Sequence, residues 1–510
     1  MESSLPDLKE GKHSMFTQRL PIPFSVVTIA LMMCCRMCCF VALVVGWTAS
    51  YTRPVVLGSE TDKMVSRAAG PAVYRLNYAR TGYDGRAQPT GLQQIWTFDE
   101  EYAEFLSSPV VAHGRLYGAY TIPDITGQFG AVFCLSAATG KLIWKVEDVD
   151  GKPLNGILSS PVSSEDRKSI LIGSGMPFDD RGGVYLLCLE AATGNVRWSK
   201  HVPHNHIMGT PAVHGDMVVV GAGAVERNDH AKIEHTGFVM AVRISDGREL
   251  WRIEMVDPES SPAFAPDGTL YIGSGLPLVN KPGTGAAVYA LRTETDAQLE
   301  AKGLSRVLWK TSAPYGMVSP VTLAGDSVSG GGGRNYWGFA VLDGQYGRPL
   351  EGVIMALDRE TGKIRWKLKT EDSIWAPIAV KGGKAICSVG GQKEYSMTDR
   401  QRAELLALDV QSGRVLWRQA IGGGSPVLGG PVFTGERVYV LAADETLTIL
   451  DADRGRIIEQ HRLGAPETPV ADDMCASGPL LVKGRLYVAT QTGGLRCFGG
   501  KVPQAKGLPD

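Results

Sequence analysis

The side chains best suited to chemistry gather in one stretch of this chain. Six of its nine histidines fall between 201 and 235, at His201, His204, His206, His214, His230 and His235. Imidazole binds transition metals, and neighbouring carboxylates can complete such a site. His230 and His235, in a polar insertion with Asp229 and Glu234, are therefore the candidate metal ligands. His204-x-His206 would present both rings on one face if extended, because strand side chains alternate. The HNH run is expected in a loop between repeats, where polar residues are solvated, and His214 sits in a glycine-turn position that His113 also occupies. No Ser/His/Asp order stands out, and GSGMP and GGGGR read as turns, since neither opens a helix.

Nothing in the balance of the chain points to nucleic acid. The net charge is −1 over 510 residues, and no segment carries a long run of Lys or Arg. A hydrophobic fraction of 44% with 21% charged residues is that of a globular protein with a sizeable core. The N-terminus differs. Ile22 to Ala49 is almost wholly apolar and follows Lys9, Lys12 and Arg19, which suits a membrane anchor. Arg36 stands in its middle, where a charge costs roughly 2.5 to 3.5 kcal/mol on insertion scales. The second reading starts at Met33 and makes the stretch a signal peptide with Thr48-Ala49-Ser50 as its small-residue cleavage region. Either way the following residues are expected outside the cytoplasm.

The elements that must position any site are announced by repetition. VIMALDRETGKIRW, from Val353 to Trp366, returns as VYLLCLEAATGNVRW, GFVMAVRISDGRELW and LLALDVQSGRVLW. In each, an apolar run rich in β-branched residues meets a polar turn ending in Gly, and Trp follows four positions later, as in Gly140 with Trp144 or Gly413 with Trp417. That is hairpin chemistry, with Asp358 accepting turn hydrogen bonds and Gly362 supplying positive φ. A small residue before Pro opens each unit, eight times from Pro109 to Pro479. About four strands in about 50 residues is a propeller blade. The last unit stops at Leu495–Gly500 without a fourth strand, while Gly91–Phe98 carries Trp96 with no strands before it. The sequence thus predicts an all-β, eight-bladed β-propeller of four-stranded antiparallel blades, its ring closed by the N-terminal strand. Its parts are a tail at 1–21, an anchor or signal peptide at 22–49, a linker at 50–90, the propeller at 91–500 and a tail at 501–510.

Four of the nine cysteines, Cys34, Cys35, Cys38 and Cys39, lie in the apolar segment; the other five show no CxxC spacing. Cys134, Cys188 and Cys497 occupy the slot held by Ala241, Ala290, Ala356 and Ala407 in other units, where a small buried side chain is expected.

The phrase Ala-x-Asp-x-x-Thr-Gly-x-x-x-Trp, best seen from Ala356 to Trp366, resembles the tryptophan-docking repeat of the pyrroloquinoline-quinone-type propellers. The resemblance implies that each Trp wedges between blades. It also implies one of two functions. In the quinoprotein alcohol dehydrogenases, calcium and pyrroloquinoline quinone sit at the channel mouth with an Asp base; other members are noncatalytic scaffolds, like the lipoprotein of the bacterial outer-membrane barrel-assembly machine. Here Glu226 matches the family's calcium-ligand Glu and Asn280 the closing Asn of its YFGTGNPxxWN segment, but Leu276 replaces the ligand Asn and Val279 an aromatic. Calcium takes six to eight oxygens, so the Leu is a serious loss. TSAPYGMVSP, where the catalytic Asp belongs, has no carboxylate. Trp375, leading into the sixth inner strand, is expected at the channel mouth and able to touch a ligand. The expectation is therefore an extracytoplasmic, noncatalytic scaffold binding cell-envelope proteins or a small ligand at the channel mouth, with the quinone-dependent oxidoreductase as the alternative.

Overall fold

In the computed structural model, each Thr-Gly phrase folds as its local chemistry dictates. Asp358 Oδ1 accepts from the Thr361 N–H at 2.9 Å and from its hydroxyl at 2.8 Å, and Gly362, at φ 70°, returns its N–H to the Asp358 carbonyl. Asp409 and Ser412 repeat the arrangement. The residues described are 74–84, 92–124, 127–175, 183–202, 205–224, 236–275, 286–317, 320–334, 351–374, 376–390, 403–421, 427–464 and 477–499. Among them no helix is long and apolar enough to cross a membrane; Ile22–Ala49 lies outside them.

Eight antiparallel blades make an eight-bladed β-propeller. Blade one is Val110–Ala112, Arg115–Asp124, Gly127–Ser136 and Leu142–Val146, running from the axis outward. Blade three is Ala212–His214, Met217–Ala224, Thr236–Arg243 and Glu249–Val256, and blade four opens at Ala263–Phe264. The late tryptophan of blade four, Trp309, follows an insertion folded as a short helix, Asp296–Lys302, begun by a capping box between Thr295 and Gln298. Blade eight takes Leu480–Val482, Arg485–Thr490 and Gly494–Gly499 from the end of the chain, and Gln93–Phe98 as its outermost strand. Trp96 pairs with Cys497, so the ring closes where the sequence predicted.

The core is divided among the eight junctions, with one buried apolar cluster between each pair of neighbouring blades. The tryptophans fix seven of these junctions. Each indole N–H donates to a carbonyl of the next blade, from Trp96 to Ala137 at 3.3 Å and from Trp366 to Val410 at 3.0 Å, for example. In blade seven, Glu459 stands opposite Ile449 at this register, and blade eight is tied instead by buried Glu445, which accepts from the Thr492 hydroxyl at 2.6 Å. The residue paired with each Trp is Cys or Ala, with Cys134 opposite Trp144, Cys188 opposite Trp198 and Cys497 opposite Trp96. All three thiols are completely buried, as the small-residue slot requires.

Candidate functional site

Residues 74–84, within the stretch assigned above as linker, run along the axis of the ring. Tyr83–Asp84 adds in parallel to the innermost strand of blade seven, with Tyr83 opposite Phe433. Ala79 accepts from Leu323 N in blade five at 2.9 Å, and Thr81 accepts from Val380 N in blade six at 2.8 Å. Arg80 donates to the Thr210 and Pro211 carbonyls entering blade three, and Tyr78 donates to Glu165 of blade two. Only the axis lies within reach of the inner edges of five blades, so the chain fills part of its own channel. Arg75 and Arg80 are buried there at 5% and 4% exposure, and burial pulls their pKa values down to about 10 and about 9.

A second cluster lies between blades three and four. Asn205–His206 forms a two-residue strand that extends blade three's inner edge, with His206 opposite Gly223. This corrects the expectation of a solvated loop: the His206 ring is 2% exposed, because strand pairing turns it between the sheets. Asp257 and Glu259, each 3% exposed, come from the link between Glu249–Val256 and Ala263–Phe264. The glycines of blade three permit this approach. A Cβ at Gly221 would fall on the Pro258 carbonyl, and one at Gly223 would lie 2.5 Å from His206 Nε2, 2.6 Å from Glu259 Oε1 and 2.7 Å from Asp257 Oδ1. His206 Nε2 is hydrogen-bonded to Glu259 Oε1. Burial pulls the His206 pKa down to about 4, against the opposing charge of Asp257. The Asp257 carboxyl is held well above its usual range, first by burial and then by the Glu259 charge.

The residues singled out from the sequence, Glu226, Asn280, Trp375, His230 and His235, lie outside the described residues, as do Leu276, Val279 and His204. Of the segment expected to hold a catalytic Asp, Thr311–Met317 and Pro320 are described. Ala313 and Met317 are buried in the cluster between blades four and five, and the nearby carboxylate, Glu351, is held by Tyr315 and Lys369. Apolar packing surrounds the segment where the resemblance places a base, and the Leu276 side chain offers no oxygen to calcium. These residues do not fit a calcium–quinone site. The pairing of His206 with carboxylates one blade away escaped sequence reasoning; the only trace was a His entering blade three and two acids entering blade four.

The ring, its docking tryptophans and its closing strand define a propeller of the pyrroloquinoline-quinone type. The chain belongs to the family described as outer membrane protein assembly factor BamB, which matches residues 128–235 and 350–502, just over half of it. A stretch of 167 residues is 26% identical to quinohemoprotein alcohol dehydrogenase ADH-IIG of Pseudomonas putida, covering 32% of this chain and 21% of that protein. Among solved structures, a quinohemoprotein alcohol dehydrogenase from Comamonas testosteroni is similar in fold, with a TM-score of 0.59 at 17% identity over 90% of this chain and 85% of the other. A europium-containing methanol dehydrogenase gives 0.55 at 15% identity, over 85% and 92% of the two chains.

Proposed function

We propose that this protein is an extracytoplasmic, noncatalytic scaffold that holds protein partners in the cell envelope on the rigid rim of its ring. The observation that carries this reading is the partly filled axis: residues 74–84 bond to the inner edges of five blades, in space a ligand-bearing channel would keep open. Closure leaves no blade free to hinge, so the eight blades keep fixed spacing, which suits the assembly role carried in the family's description. The apolar Ile22–Ala49 segment supports placement outside the cytoplasm. A small ligand at the channel mouth, the other occupant expected from the sequence, is not supported by this partly filled axis.

The alternative, quinone-dependent alcohol oxidation, rests on the 26% match to part of a dehydrogenase. Cross-linking in intact cells followed by capture of the full chain should recover a reproducible set of envelope proteins. The same preparation, given pyrroloquinoline quinone and calcium, should hold no bound chromophore and oxidise no alcohol in a dye-linked assay. Turnover with a bound chromophore would overturn the scaffold reading.

A further inference from the structure

We propose that His206, Asp257 and Glu259 bind one divalent transition-metal ion of the kind that accepts mixed nitrogen and oxygen ligands, such as Zn2+. The site is separate from the calcium position implied by the resemblance, since neither Glu226 nor Asn280 belongs to it, and it stands independently of the scaffold reading.

Three observations support it. The imidazole and the two carboxylates each bring one ligand atom to a common place, all within 4.8 Å of one another. Gly223 borders the space these atoms face: a Cβ there would lie 2.5 to 2.7 Å from each of the three, so any side chain at position 223 would crowd them. Asp257 Oδ1 is fully buried, aimed into the same space, and has no hydrogen-bond partner among the described residues. Two buried carboxyl groups side by side can both ionise only if positive charge is returned to them. A divalent cation returns two charges at once, and no Lys or Arg among the described residues pairs with Asp257. The imidazole selects the metal, because calcium and magnesium prefer all-oxygen shells whereas zinc and its neighbours accept His beside carboxylate. As the ion enters, His206 keeps its proton on Nδ1, the proton on the Glu259 side of the His206 Nε2–Glu259 Oε1 bond and the proton on the Asp257 carboxyl leave to solvent, and the ligands draw in to about 2.0–2.2 Å. The bound ion ties the inner edge of blade three to the link entering blade four.

The test uses the full chain, purified without a histidine tag, stripped with chelator and titrated with Zn2+. About one equivalent should remain after gel filtration and raise the melting temperature by mass action. Asp257→Asn and His206→Gln should lose both the retained metal and the shift. Gly223→Ala, which keeps all three ligands but crowds their ligand atoms with a methyl group, should lose them as well. The double variant His230→Ala/His235→Ala should keep both. With Co2+ the visible spectrum should show nitrogen and oxygen ligation; a sulfur charge-transfer band would overturn the assignment even if a ligand variant failed to fold. So would wild-type protein retaining no more zinc than Asp257→Asn, or loss of the metal in the His230/His235 variant.

Discussion

Gly140 and Gly114 allow the wedge role of the tryptophans to be isolated. Both belong to blade one and both have φ of +71°. They differ in one respect. A Cβ at Gly114 meets nothing within 4 Å, whereas a Cβ at Gly140 lies 2.6 Å from Cδ2 and Cε3 of Trp96, the ring delivered by the closing strand. Replacing either glycine by Ala incurs the left-handed backbone cost of about 1–2 kcal/mol. Gly140→Ala must also displace an indole held by its N–H to the Ala137 carbonyl, and such overpacking costs about 1–3 kcal/mol more. The expected totals are about 1–2 kcal/mol for Gly114→Ala and about 2–5 kcal/mol for Gly140→Ala. A ring of roughly 400 residues unfolds with an entropy of about 0.8 kcal/mol/K, so each kcal/mol moves the melting temperature by about 1 °C. Differential scanning calorimetry of the two variants at one scan rate should therefore separate them by about 1–3 °C, with Gly140→Ala the lower. Equal melting temperatures would mean that the ring is not wedged against this turn, and the account of how blade eight locks onto blade one would fail.

Trp366→Ala should destabilise by about 3–5 kcal/mol in equilibrium denaturation, since it empties the junction between blades five and six and strands the Val410 carbonyl. Deleting Gln93–Phe98 should lower the melting temperature far more than any single tryptophan variant, because it exposes the edge of Gly494–Gly499 and opens the ring. Burial pushes the Asp372 carboxyl up to about 6, with the Ser373 N–H opposing, while the unfolded chain keeps the usual 3.8. The folded state then binds this proton more tightly, so the contribution is fully present below pH 3.8 and is lost as pH rises to about 6. After discounting for partial exposure the loss is about 1–2 kcal/mol, and Asp372→Asn should recover it at neutral pH and flatten the stability profile between these values. Burial also pushes the Cys134, Cys188 and Cys497 thiols up to about 11, so a maleimide at neutral pH should label none of them until the protein unfolds.

The blades could be read in the sequence because each is encoded within a few residues. Asp358, Thr361 and Gly362 satisfy one another's backbone, Trp366 follows at a fixed offset, and the count of such phrases sets the number of sectors. The ring's closure was legible for a related reason: a strand without partners at one end of the array matches a vacancy at the other. The path of residues 74–84 was not legible, since it rests on scattered hydrogen bonds to the inner edges of five blades that carry no shared pattern. The histidine cluster shows the same division. Composition drew attention to the stretch from His201 to His235, but nothing in it distinguishes His206 from the rest. The repeat, by advancing one blade in about 50 residues, brings Asp257 and Glu259 beside a histidine 51 and 53 positions earlier, and glycines at 221 and 223 let the two backbones close on each other. Local turn and strand preferences are properties of neighbouring residues and so belong to the sequence; the meeting of an imidazole with two carboxylates depends on how blades stack around an axis, and only the folded ring decides it.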